Sequence, residues 1–236
     1  MILGLDTTTE RLHLVLADPA AGGRIWSRWA VAQPGRSHSA LLLPTLEAVL
    51  AAAGAAPADL TGVVACVGPG GFTALRIGVA TAEGLAITGL PTWGFSAFAL
   101  RARALRLAGC QNPVWVLLDG QRQEAFLQRW GAGDAPLGAA VKCPLAALAA
   151  TVGADAWWAP EGFRDRVAPH LAHPPVPLED EPEATLAGLA DLCRSLPLGP
   201  PESPLVPFYL RETDAELNFP EASGHLSEAL RRGQAR

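Results

Sequence analysis

Gly68-Pro69-Gly70-Gly71-Phe72-Thr73-Ala74-Leu75-Arg76-Ile77-Gly78 is the stretch whose reading decides the fold. Residues 62–67 before it form a short apolar run with the length and β-branching of a buried strand. Residues 79–87 after it are rich in Ala and free of Pro, which predicts a helix. The unit is therefore strand, glycine turn, helix. Gly68, Gly70 and Gly71 can take backbone conformations closed to other residues, and Pro69 stiffens the turn between them. A glycine turn at a helix start leaves N–H groups converging on one point, which suits an anion. Two generic phosphate loops are excluded. No Lys follows the glycines, so this is not a Walker A loop; the only lysine, Lys142, precedes Cys143. The glycine spacing and the missing acid about 20 residues on exclude the dinucleotide fingerprint.

Ala74, Gly78 and Ala82 recur every four residues and share one helix face. Gly84 lies in the same helix. A helix-interior Gly costs about 1 kcal/mol relative to Ala, so two of them call for something packed close to this backbone. That is either the protein's own sheet or another chain.

The chain has 236 residues, half of them hydrophobic, with 17% charged and a formal net charge of −5. Such a length suits one large domain or two small ones. No basic stripe marks a nucleic-acid binder. Cys66, Cys110, Cys143 and Cys193 are far apart, so neither a disulfide framework nor a zinc cluster is expected. The apolar run 2–5 ends at Asp6 and no stretch is long enough to span a membrane, so no signal peptide or membrane contact is expected and the location is read as cytoplasmic.

Along the chain, residues 2–5, 12–17 and 24–30 read as three strands in hairpin connection. Asp6-Thr7-Thr8 sits at the first bend, where strand ends hold phosphate or a metal-bound water, or merely form an Asx or Ser/Thr turn. Residues 41–53 read as a helix capped by Ser37 or Ser39, with Leu42, Leu46 and Val49 on a wide apolar stripe. Pro44 would kink it unless it starts late. His38 is expected in a capping or interface role. Residues 91–95 form a strand, and Ser96 caps a helix over 97–108 whose Arg103 and Arg106 are expected to be solvated. At Val114 the pattern restarts: a strand over 114–118 ends in Asp119, and 124–130 is its hairpin partner. Beyond lie a short helix (144–151), a strand (156–159), an extended Pro-rich linker (174–177), a helix (184–196) and a strand or turn (207–211). His170 and His173 read as surface residues.

Together these pieces resemble the TsaB (YeaZ) family, over most of the chain and most strongly over residues 1–100. Residues 68–78 look like that family's Gly-Pro-Gly-Ser-Phe-Thr-Gly-Leu-Arg-Ile-Gly, with Gly71 in place of Ser and Ala74 in place of Gly. Residues 2–8, His38-Ser39 through Pro44, Leu118-Asp119 with Glu124, and 207–211 also fall where the family has its motifs, though Ala40 replaces the common Glu. The resemblance implies an α/β fold of two related lobes, actin-like, sugar-kinase-like and Hsp70-like (ribonuclease H-like). The expected division is a first lobe over 1–109, a smaller related lobe over 110–211, and a tail over 212–236.

The resemblance further implies work on tRNA: formation of threonylcarbamoyladenosine beside the anticodon. The chain would partner a TsaD-type catalytic paralogue and a TsaE-type ATPase, touch tRNA only through the complex, and form a homodimer when alone. The partner surface is expected on the helices bearing Leu42, Leu46, Val49, Ala74, Gly78 and Ala82. TsaD-like proteins hold metal with a His-x-x-x-His pair; here Leu42 stands four residues after His38, so no metal site is expected. The first phosphate loop lacks a Gly after Asp6, and the second lacks a hydroxyl after Asp119. Asp6, Thr7, Thr8 and Asp119 thus read as vestigial phosphate loops, with no catalytic residue and no cofactor. An independent small ATPase or kinase of the same fold is the alternative.

Overall fold

The computed structural model describes residues 1–20, 22–32, 37–133, 135–196 and 199–210. The expected tail over 212–236 lies outside them. Two mixed sheets organise the chain. The first has the order β3-β2-β1-β4-β5, from β1 (Ile2–Asp6), β2 (Arg11–Asp18), β3 (Arg24–Val31), β4 (Gly62–Gly68) and β5 (Thr92–Ser96). β1, β2 and β3 form an antiparallel meander, while β4 and β5 run parallel to β1. The second sheet has the order β8-β7-β6-β9, from β6 (Val114–Asp119), β7 (Glu124–Trp130), β8 (Val141–Pro144) and β9 (Ala156–Trp158). It repeats the first: an antiparallel meander, then one strand parallel to its first. This two-sheet α/β arrangement is the ribonuclease H-like fold expected.

Five layers follow from the faces of these sheets. Alternate residues of β1 and β2 point opposite ways. Leu3, Leu5, Leu12 and Leu14 pack under α1 (His38–Ala53) and α2 (Phe72–Ala86). Ile2, Val15 and Ala17 pack instead on α3 (Ala97–Leu107) and α6 (Glu181–Arg194). Across α3 and α6 lie Val116, Leu118 and Phe126 of the second sheet. Its far face, Leu117, Ala125 and Leu127, is covered by α4 (Leu148–Val152) and α5 (Glu161–Val167). Strands buried on both faces read as unbroken apolar runs, which is why 2–5 and 62–67 show no alternation.

The middle layer is tight. A Cβ on Gly188 of α6 would lie 3.1 Å from the Leu100 carbonyl oxygen and 3.1 Å from the Ala104 nitrogen of α3. A Cβ on Gly4 would meet the Cys193 sulfur at 2.6 Å. So α6 returns from the second half of the chain to the first sheet. Residues 199–210 follow it: Glu202 N donates to Thr92 O at 2.8 Å, and Phe208 N to Val67 O at 2.6 Å. The stretch 110–211 is therefore not confined to the second sheet, because the first sheet's inner face needs α6 to cover it.

Several local expectations change. α2 starts at Phe72, two residues before the row that begins at Ala74, because Gly71 already occupies the N-cap. α1 starts at His38 and continues through Pro44; Ala40 and Pro44 are both exposed, so the turn that loses its amide donor faces water. Ser37 is the N-cap but its hydroxyl pairs with that of Ser39 at 2.7 Å and caps nothing. Ser96 does cap α3, accepting from Ala99 N at 3.0 Å. Arg103 and Arg106 are half-buried and bonded to the chain rather than freely solvated. Arg103 pairs with Asp191 of α6, and Arg106 donates to the carbonyls of Cys110, Asn112 and Gly131. Residues 207–210 run without regular structure. Among the described residues, no helix is long and apolar enough to cross a membrane.

Candidate functional site

The two related hairpins bring their first bends face to face. Between them opens a cleft of about 390 Å³. One wall is Thr8, Thr9 and Glu10 with Pro69, Gly70 and Gly71 of the glycine turn; the other is Asp119 and Gln121 with Pro160, Gly162 and Phe163. His38 of α1 joins the first wall. In this fold such a cleft is where two phosphate loops would meet. The question is which polar groups in it remain free.

Asp6 is fully buried and committed. Its Oδ1 accepts from Thr8 N at 2.9 Å and from the Thr8 hydroxyl at 2.6 Å; its Oδ2 accepts from Arg101 Nη2 at 2.8 Å. His13 Nδ1 lies 3.7 Å from the same Oδ2. Burial alone would raise the Asp6 carboxyl, but the Arg101 guanidinium, the adjacent His13 ring and the hydrogen bonds from Thr8 outweigh it and hold the group far below the ordinary carboxylate range. Asp6 does not line the cleft. Thr7 also turns inward, its hydroxyl donating to Ala74 O at 2.7 Å.

Three of the loop amides are occupied as well. Thr8 N serves Asp6, Gly71 N donates to Thr8 O at 3.3 Å, and Gly120 N donates to Glu124 O at 3.0 Å. Asp119 accepts from Gln121 N at 2.8 Å and from Arg166 Nη1 at 2.7 Å. The bend after it is held in the left-handed region at three successive non-glycine residues, Gln121, Arg122 and Gln123, with φ of 63°, 45° and 63°. Among the described residues the lining carries two carboxylates, Glu10 and Asp119, and no Lys or Arg. A polyphosphate entering here would meet carboxylates and find these donors spent.

His38 is buried, and its Nε2 has no hydrogen-bond partner among the described residues. Burial lowers the His38 imidazole below the usual histidine range, against a hydrogen bond to the Thr9 backbone. Burial likewise lowers His13. Both rings are neutral at neutral pH.

The glycines are explained by contacts with Thr7 and Thr8. A Cβ on Gly70 would lie 2.5 Å from Thr8 O, and one on Gly78 would lie 2.4 Å from the Thr7 hydroxyl. Gly68 has φ +110°, and its added Cβ would meet Phe208 O at 2.8 Å. Gly71 has an ordinary φ and open space.

The residues expected at a partner surface are mostly internal. Leu42, Leu46 and Val49 of α1, and Gly78 and Ala82 of α2, are buried against the first sheet, and Ala74 is half-buried. The small-residue row therefore packs on the chain's own sheet and Thr7, which corrects the expectation that it faces outward. The outward faces carry other residues. Leu43 is 57% exposed, Phe72 40% and Ile87 87%, with Ala40, Glu47, Arg76 and Ala80 beside them. Arg101 and His13 escaped notice in the sequence. Arg101 does fall on the inner face of α3, in helical phase with Phe98 and Leu105, and a charge at that phase is a detectable signal.

Comparison with known proteins places this geometry. The family model for TsaD, tRNA N6-adenosine threonylcarbamoyltransferase, matches residues 32–156. An uncharacterised protein of Mycobacterium tuberculosis is 32% identical over 184 residues, 77% of this chain and 78% of its own length. The tRNA threonylcarbamoyladenosine biosynthesis protein TsaB of Escherichia coli is 28% identical over 126 residues, 53% of this chain and 52% of that protein. The solved structure of YeaZ from Pseudomonas aeruginosa superposes with a TM-score of 0.70 at 26% identity, over 89% of this chain and 99% of that one.

Proposed function

The chain belongs to the TsaB (YeaZ) family, and from that premise we propose that it is a non-catalytic subunit in the formation of threonylcarbamoyladenosine in tRNA. It acts as the partner of a TsaD-type catalytic paralogue, together with a TsaE-type ATPase, and meets tRNA only through that complex. The observation that carries the non-catalytic reading is the internal commitment of both phosphate loops. Asp6 is locked to Arg101 and Thr8, Asp119 to Arg166 and Gln121, and the amides of Thr8, Gly71, Gly120 and Gln121 bond to the chain itself. A nucleotide that recruited these groups would have to break the partly exposed Asp119–Arg166 pair and the loop hydrogen bonds first.

The association face in this reading is the outward side of α1 and α2, around Leu43, Phe72 and Ile87. Exposed apolar side chains along two neighbouring helices favour burial against another protein. Without the partner, two copies of the chain would use the same face, two-fold and isologous. The test is co-purification with a TsaD-type partner, followed by tRNA modification with and without this chain. Loss of modification when the chain is left out supports the proposal. Full modification without it, or ATP turnover by the chain alone that disappears in Asp119→Ala, sinks it and favours the independent ATPase.

A further inference from the structure

We propose that Arg101, buried inside α3, is the positioning residue for the first turn of α2, and through it for the association face; this rests on the reading of α2 given above. Arg101 is 1% exposed and its Nη2 meets Asp6, while its Nε and Nη1 have no partner among the described residues. A guanidinium so poorly matched is expensive to bury. It is not explained by packing, since an apolar side chain would fill the same place among the apolar residues of the middle layer.

Arg101 fixes Asp6 Oδ2, leaving Oδ1 to hold the amide and hydroxyl of Thr8. The turn so formed presents Thr8 O to Gly71 N and places Thr8 against Gly70, at a distance only glycine permits. It also aims the Thr7 hydroxyl at Ala74 O, inside the first turn of α2. No side chain caps α2, because its N-cap is Gly71. The contacts from Thr7 and Thr8 instead tether that turn to the first bend, at Ala74 O and at the Gly71 amide. The turn they hold carries Phe72 and Arg76, whose guanidinium stacks on the Phe72 ring at 3.8 Å and donates to the Tyr209 hydroxyl at 3.2 Å.

Removing Arg101 alone would strand a buried carboxylate and could unfold the chain, so the test uses two other variants. Asp6→Asn/Arg101→Leu removes both charges, and Thr7→Val deletes only the link to Ala74. Leu148→Ala, in the far core of the second sheet, serves as a destabilised control. Hydrogen exchange by mass spectrometry is read first, on the isolated chain. Amides of residues 72–78 should exchange about fivefold faster or more in the first two variants, the scale of one lost hydrogen bond. Residues 42–53 of α1 should keep their wild-type rates, and the control should leave 72–78 unchanged. Affinity for the TsaD-type partner should then fall in the first two variants and hold in the control. Unchanged exchange over 72–78 in both variants overturns the positioning role. Faster exchange, combined with a wild-type chain that does not bind the partner, leaves the positioning role standing and refutes the proposed function instead.

Discussion

Gly70 and Gly71 are adjacent, of one residue type, and separated in the structure by what surrounds them. Replacing Gly70 by Ala drives a Cβ to 2.5 Å from Thr8 O and 2.6 Å from Thr8 Cβ. Neither atom can step aside, since Thr8 is tied to Asp6 and Asp6 to Arg101. The clash resembles overpacking of a rigid core, which costs about 1–3 kcal/mol. In a chain of this size each kcal/mol lowers the melting temperature by about 2–4 °C. Gly70→Ala should therefore melt roughly 2–12 °C below the wild type. At Gly71 the nearest atom to an added Cβ is Ala74 Cβ at 3.9 Å, and φ is −59°. Gly71→Ala should shift melting by no more than about 1–2 °C, the poorer N-cap of Ala being offset by the smaller entropy of its unfolded chain. Differential scanning calorimetry on both variants decides. Equal melting temperatures for the two, or a larger loss at Gly71, would refute the claim that the Thr8 turn dictates the glycine pattern.

Ala82→Trp, at a position with no exposed surface, should cost folding and not merely association, so circular dichroism should show a destabilised or unfolded chain. Leu43→Asp and Ile87→Glu should keep the wild-type melting temperature and lose the partner in pull-down; undiminished binding in both moves the interface off this face. Asp6 titrates far below its unfolded value, so its contribution is whole at neutral pH and fades as pH falls below about 4, where the unfolded carboxylate takes up a proton. His13 and His38 are lowered too, so acid already favours the unfolded chain once pH falls below about 6.5. Urea midpoints measured from pH 7 downward should decline across both windows, and Asp6→Asn/Arg101→Leu should flatten only the lower one.

Much of the fold was legible because apolar runs and glycine turns report backbone needs directly. The strand–turn–helix unit at 62–78 and the restart at Val114 are visible without any tertiary information. The short elements β8 and α5 were not, since runs of four and seven residues carry too little periodicity. The site was less legible. Asp6 and Asp119 could be placed at hairpin bends, but nothing local says that Arg101, 95 residues on, neutralises the first. The row Ala74, Gly78, Ala82 shows that something approaches α2 closely. It does not say from which side, and the neighbour is Thr7 of the same chain. The outward face was hidden by the same ambiguity, because a helix apolar on two sides gives no phase to separate core from surface.

The central claim is that this chain supports tRNA modification as a partner and does no nucleotide chemistry in its own cleft. The most direct measurement is reconstituted threonylcarbamoylation of tRNA by a TsaD-type subunit and a TsaE-type ATPase, with the chain omitted, added as wild type, or added as Asp119→Ala. The account predicts that modification requires the chain and proceeds at the wild-type rate with Asp119→Ala. Modification that needs no chain, or that fails specifically with a folded, partner-bound Asp119→Ala, would contradict it.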